Sequence, residues 1–234
     1  MSTRALSTYS AEVASFPDAV ISPSSSLEEC VAQKGAFFAL KRCFDVVLSV
    51  FAIIVLSPVL AIVAIAIAID DGGPVFYSQE RVGYRGQVFR IYKFRSMRCD
   101  AERRHEDLLD LNEADGPAFK MREDPRMTRV GKFIRKVSID ELPQLVNVIR
   151  GEMSLVGPRP LVLGEAAKCS EWQNGRLLVK PGLTCLWQVM PGRNTVPFDE
   201  WMQSDIDYIR TCNAIADLLI IVKTFRVVLN AEGW

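Results

Sequence analysis

Asp140 and Glu141 place two carboxylates side by side just ahead of Pro143, between a basic run over residues 126–136 and the segment Gly157-Pro158-Arg159-Pro160. Pro143 has no backbone N–H and is tolerated only in a first helical turn. A helix is therefore expected to begin near Asp140 or Glu141, run to about Arg150 and stop at Gly151. Free amides and the positive dipole end at such a start favour a carboxylate or a phosphate. Neighbouring helix positions point about 100° apart, so the two acids converge on one phosphate only at the non-helical start. A purely structural alternative stands beside this, because Ser138 and Glu141 also fit the Ser-x-x-Glu capping box.

Other chemistries have little to build on. The single histidine, His105, lies in Ala101-Glu102-Arg103-Arg104-His105-Glu106-Asp107, a stretch that reads as solvated helix, so neither a Ser-His-Asp triad nor a multi-histidine metal centre is supported. The six cysteines (Cys30, Cys43, Cys99, Cys169, Cys185, Cys212) show no Cys-x-x-Cys spacing, which argues against a disulfide framework or a zinc site. Any chemistry then rests on carboxylates and cations. The 28 basic and 28 acidic residues cancel, yet residues 81–98 hold six basic residues and no acidic one, and residues 126–136 are again acid-free. Such local excess favours phosphates or an anionic membrane face, beside the ordinary reading as solvated surface. Overall neutrality and the lack of a reader motif argue against nucleic acid.

The elements that must position these residues can be read in outline. Residues 1–40 form an N-terminal tail whose first part is rich in Ser, Ala and Pro, with no continuous apolar core of a signal peptide. Residues 46–69 are 24 positions interrupted only by Ser49 and Ser57-Pro58. As a helix they would reach roughly 36 Å, enough to cross a bilayer, but Pro58 at the midpoint should kink them into halves of roughly 18 Å. Basic residues stand on both sides: Lys34, Lys41 and Arg42 before, Arg81, Arg85 and Arg90 after. Both ends then prefer the same face, which favours a re-entrant path over a straight crossing. Short strands are expected over residues 75–77 and 88–92 around Gly83-Tyr84-Arg85-Gly86, and a helix over residues 101–111. Val130, Phe133, Ile134 and Val137 mark an apolar stripe on a basic helix leading to the acid pair. Residues 215–229 form a helix apolar nearly all round, suited to a membrane interface or to a core.

Taken together, these blocks resemble the monotopic phosphoglycosyl transferases, a bacterial sugar transferase family. The resemblance spans residues 41–229. It rests on the Ser57-Pro58 membrane helix, Tyr77-Ser78-Gln79-Glu80-Arg81-Val82-Gly83, Tyr92-Lys93-Phe94-Arg95-Ser96-Met97, Asp124-Pro125-Arg126 with Thr128, Ser138-Ile139-Asp140-Glu141-Leu142-Pro143-Gln144-Leu145, residues 151–160 and Lys180-Pro181-Gly182-Leu183-Thr184. It implies an α+β fold anchored by a kinked re-entrant helix (residues 41–72), with a compact, mostly helical catalytic domain and short strands (73–234) ending in interfacial helices. It also implies a bacterial inner-membrane location with that domain on the cytoplasmic face, and it leaves a homodimer open. The sequence shows no multi-span N-terminal extension, so the likeness is to the short, exopolysaccharide-type form.

The reaction implied by the resemblance has two steps. Asp140 attacks the β-phosphate of a UDP-sugar, releasing UMP, and polyprenol phosphate then displaces the aspartate. Glu141 assists, Mg2+ is required with Asp140 as a ligand, and Lys93, Arg135, Arg159 and Asp205 match the family's other site residues. Elementary electrostatics is consistent with this. A carboxylate is ionised at neutral pH without a base, but approaching an anionic diphosphate costs roughly 4 kcal/mol per charge pair at about 4 Å and an effective dielectric of about 20. A helix start offsets only about 0.3–1 kcal/mol, so cations must dominate. Cys185 stands where the family has glycine, and Met190-Pro191-Gly192-Arg193 replaces a more usual Ser-Gly-Arg; a positive φ at residue 185 would be strained. The rival class is a non-catalytic membrane-surface adaptor that binds anionic lipid through the basic runs.

Overall fold

The computed structural model describes residues 24–104, 106–113, 116–117, 121, 123–193 and 195–230. Most of the expected tail, His105 and Asn194 lie outside them. Helix α1 (Ser25–Gln33) leads into α2 (Gly35–Asp71), and strands β1 (Phe76–Val82) and β2 (Val88–Phe94) follow. Helices α3 (Arg129–Lys136) and α4 (Leu145–Arg150) flank a 3-10 turn over Ile139–Gln144. Next come β3 (Ser154–Val156), β4 (Leu161–Val162), the short helices α5 (Leu163–Ala166) and α6 (Glu171–Asn174), a 3-10 turn over Gly175–Leu178, and β5 (Gly182–Thr184). Helices α7 (Phe198–Thr211) and α8 (Ala214–Leu229) complete this mixture of helices and short strands.

β1 pairs antiparallel with β2 from Phe76↔Phe94 to Val82↔Val88 and with β4 through Arg81↔Val162 and Val82↔Leu161. Phe76 and Phe94 stack across the hairpin at 5.3 Å, the kind of cross-strand pair that fixes register. β3 and β5 run parallel, Ser154↔Gly182 and Val156↔Thr184. Below them, Trp187 stacks on Trp201 at 4.7 Å, and Phe198 meets Trp201 edge-on at 5.5 Å. Met202, fully buried, completes that cluster.

Three expectations are corrected. Residues 25–33 are helix, not tail: Leu27 is buried with Val179 and Ile206, and Lys34 Nζ donates to the carbonyls of Ile209, Arg210 and Cys212 at 3.1, 2.6 and 3.2 Å. The Ile209 and Arg210 carbonyls lie in the last turn of α7, where the helix supplies no backbone donors of its own. Residues 101–104 are turn and Glu106–Leu111 is a 3-10 segment instead of an α-helix. On α3, Ile134 is 1% exposed and Val130 packs beside it, but Phe133 is 61% exposed, so the buried seam is narrower than the sequence pattern suggested.

α2 is 37 residues long and apolar enough to cross a membrane. It continues through Pro58, where Ser57 Oγ donates to the Ile54 carbonyl at 2.8 Å. Phe51, Ile54, Ile62 and Ile69 are exposed along it, and its length and composition support a membrane location. Polar residues at both ends grip the same domain. At one end, Arg42 donates to the Val148 and Ile149 carbonyls (2.5 and 2.8 Å), Lys41 pairs with Asp217 (2.5 Å), and Asp45 accepts from Ser154 Oγ (2.7 Å). At the other, Asp70 accepts from the Val130 amide (3.0 Å) and Asp71 faces Arg95 (3.6 Å). α8 packs as core on one side, where Asp217 and Ile220 are buried, and leaves Ile215, Leu218, Val222 and Phe225 exposed on the other.

Candidate active site

Ser138 separates the basic helix from the acid pair. It adopts φ 54°, left-handed backbone that a non-glycine residue rarely takes, and its side chain makes no capping hydrogen bond. The capping box is therefore not formed, and Glu141 is released for other partners. Pro143 sits within the 3-10 turn, α4 follows from Leu145, and Gly151 (φ 87°) ends it, close to the boundaries expected from sequence. Asn147, fully buried, clips α4 to the strand that carries Lys93: its Oδ1 accepts from the Tyr92 amide (3.1 Å) and its Nδ2 donates to the Arg90 carbonyl (2.7 Å). The side-chain amide thus stands in for a neighbouring strand on β2.

That clip brings Lys93 Nζ to 2.6 Å from Glu141 Oε1, and Arg159 Nη1 reaches the same oxygen at 3.8 Å. Arg159 also lies 6.0 Å from the Trp187 ring centroid, within range of a cation–π attraction. Arg135, in the last turn of α3, contacts Met127 Sδ at 3.6 Å, and its charge is felt by both carboxylates from beyond ion-pair range. Asp140 is 7% exposed, and among the described residues its carboxylate makes no hydrogen bond. Burial pushes its pKa up to about 6, with Lys93 opposing and Glu141 reinforcing the rise. Burial would raise Glu141 as well, but Lys93 and Arg159 outweigh it and bring Glu141 down to about 2. Two adjacent acids are thereby given different roles by their surroundings.

Of the sequence-selected residues, Asp140, Glu141, Lys93 and Arg159 come together, and Arg135 borders them. Asp205 is fully buried on α7, pairs with Arg176 at 2.6 Å and lies beside Arg159. Its full burial differs from the phosphate contact expected of it from the resemblance. Ser57 and Pro58, expected to kink the membrane helix, lie inside α2, which is one helix from Gly35 to Asp71. The Asp124-Pro125-Arg126 motif is structural: Asp124 and Arg126 form a buried pair at 2.6 Å, and Thr128 caps α3 by accepting from Gly131 N at 2.9 Å. Cys185 does not take a positive φ, so the strain expected of a side chain there is absent. Burial pushes its thiol up to about 12. Asn147 and Arg176 carry no motif that marks them in the sequence, although Arg176 beside Leu177-Leu178-Val179 is a charge in an apolar run, which is a signal of burial.

The unpartnered Asp140 carboxylate bears on which metal the site could take. No group of three or more His, Cys, Asp or Glu side chains converges among the described residues, so no ion is caged by protein alone. A magnesium-type ion suits a single open carboxylate, because it keeps several waters and completes its shell with substrate phosphate.

An acid pair faced by cations thus sits on a domain gripped by one long helix whose length and composition suit a membrane. Residues 36–231 match the family model for bacterial sugar transferases. The chain is 46% identical over 193 residues to the galactosyl transferase CpsE of Streptococcus agalactiae (82% of this chain, 43% of that protein). It is 42% identical over 212 residues to the undecaprenyl-phosphate galactose phosphotransferase of Salmonella typhimurium (88% and 44%). It is 41% identical over 197 residues to the exopolysaccharide production protein ExoY of Sinorhizobium fredii (82% and 87%). The chain belongs to the bacterial sugar transferase family, and it spans less than half the length of the first two of these relatives.

Proposed function

We propose that the protein transfers a sugar 1-phosphate from a UDP-sugar to polyprenol phosphate at a membrane face, as an early step of exopolysaccharide or related glycan assembly. An Asp140 oxygen attacks the β-phosphorus of the donor, the bond to the UMP oxygen breaks, and UMP leaves with that electron pair. An oxygen of polyprenol phosphate then attacks the same phosphorus, releases the Asp140 carboxylate and yields the polyprenyl diphosphate sugar. The observation that carries this reading is the buried Asp140 carboxylate, unpartnered beside Glu141, Lys93 and Arg159. The names of relatives that act on undecaprenyl phosphate support the acceptor class.

Lys93 and Arg159 screen the repulsion between carboxylate and diphosphate, where preorganised charge is worth most. Glu141, held ionised, keeps those cations in place and does not supply a proton. Asp140 would hold Mg2+, which when bound neutralises phosphate charge. The domain formed by residues 73–234 acts on the cytoplasmic face of the bacterial inner membrane, with residues 41–72 entering and leaving by the same side. The grip of both α2 ends on one domain supports that topology. The test is UMP release by the purified full chain with polyprenol phosphate, Mg2+ and a panel of UDP-sugars. Turnover with at least one donor is expected, and none with any donor would sink the proposal.

A further inference from the structure

The Pro158-Arg159-Pro160 segment carries only one backbone N–H, since proline has none. It can therefore be fixed mainly through its carbonyls, and each of the three is held by a different element. Gly182 N on β5 donates to the Pro158 carbonyl at 2.8 Å. Arg176 Nη2, from the 3-10 turn before β5, donates to the Arg159 carbonyl. Arg81 Nη1 on β1 donates to the Pro160 carbonyl at 3.0 Å. Arg176 is buried and Arg81 partly so, and each has its own acid: Asp205 lies 2.6 Å from Arg176, and Glu165 lies 3.9 Å from Arg81. Arg81 Nη2 also donates to Gln79 Oε1 at 2.7 Å.

Buried ion pairs contribute little net stability, because desolvation offsets their attraction. Here neither Asp205 oxygen has a well-aligned hydrogen bond to Arg176, and the same carboxylate also lies beside the backbone of Arg159. Such a pair is a poor device for stability and a good one for aim. We infer that Arg176 with Asp205, and Arg81 with Glu165, are positioning residues that clamp the Pro-Arg-Pro backbone from two sides so that the Arg159 guanidinium stays directed at the acid pair. None of the four touches the reacting atoms; they act through Arg159. Arg81 is well suited to this, since its fork spans the Pro160 carbonyl and Gln79 at once, which a lysine cannot do.

The inference rests on the proposed function only for its kinetic arm, so two readouts on the full chain are needed. In the first, Arg176→Gln and Arg159→Ala are made singly and together and kcat/KM is measured. Arg176→Gln is expected to lose on the order of 10²-fold, as misplacement of a catalytic cation does, but to add less than about threefold in the Arg159→Ala background. In the second, the Glu141 carboxyl is titrated by carbon-13 NMR, which needs no turnover. Arg159→Ala should raise its pKa, Arg176→Gln should raise it part of the way, and the double variant should go no higher than Arg159→Ala alone. Arg81→Lys, which keeps the charge, provides the same two cycles should Arg176→Gln fail to fold. Losses that multiply in the double variant, or a Glu141 titration unmoved by either clamp variant, overturn the inference. An inactive wild type sinks the functional reading instead and leaves the titration to decide the clamp.

Discussion

Lys93 Nζ and Glu141 Oε1 meet at 2.6 Å, and this contact commits the second acid of the pair to a cation while the first stays unpartnered. Adjacent carboxylates sharing one pocket would repel each other if both were bare. Pairing Glu141 lets both carry charge near neutral pH, at the position where a nucleophile is wanted.

Asp140→Asn is expected to abolish UMP release, by at least ~10⁴-fold, as loss of a nucleophile does. Glu141→Gln should cost less, about 10²- to 10³-fold, because it weakens the placement of cations and not the attack itself. Membrane association, measured by flotation with liposomes, should be unchanged in both. Equal turnover by Asp140→Asn and wild type would exclude residue 140 as the attacking group.

The acid limb of the pH–rate profile should fall near pH 6, where Asp140 takes up its proton. Stability should respond differently. Glu141 has its pKa lowered to about 2, so its contribution is present above the unfolded value of about 4.3 and is lost as pH falls toward 2. Asp140 is raised, so its buried charge disfavours the folded state at neutral pH and that penalty is relieved below about 6. Activity should therefore be lost between pH 7 and 5 without a matching drop in the unfolding temperature. Coincident loss of both would show that acid inactivation is unfolding.

Lys93→Met removes the cation that lowers both acids. The midpoint of the acid limb should move upward and kcat should fall, whereas Lys93→Arg should retain part of the activity. A midpoint that stays put in Lys93→Met would mean that Lys93 does not face the acid pair in solution.

The acid pair was legible because Pro143 and Gly151 restrict the backbone so strongly that a helix start and stop could be placed from residue type alone. The partners of those acids were less so. Which of the six basic residues in 81–98 would face Glu141 depends on strand register, and register here is set by Asn147, whose role no local pattern announces. Asp205 matched a family position, yet its burial against Arg176 could be known only once α7 was packed. Phe133 fell on an apolar helical stripe, but its outward turn reflects where α2 lies, a tertiary fact.

Asn147→Leu should destabilise the fold by about 1–3 kcal/mol, since the Tyr92 amide and the Arg90 carbonyl each lose a partner. The same change frees β2 to slide against α4, so kcat/KM should fall in the variant molecules that remain folded. Thermal unfolding and a turnover assay on one preparation check both. Full stability would show that other groups satisfy β2 at this edge.

Reporter tags at the two termini should both stay shielded from outside reagents in intact cells, as a re-entrant α2 requires. A tag at one end labelled while the other is protected would establish a straight crossing.

Arg42 closes the far end of α4 by taking the Val148 and Ile149 carbonyls, while the near end of the same short helix adjoins the acid pair. Anchor and warhead are thus separated by barely two helical turns of hydrogen-bonded scaffold. On the proposed function, the attacking oxygen would then ride at one fixed altitude above a lipid leaflet, and a tethered acceptor would find it by sideways diffusion.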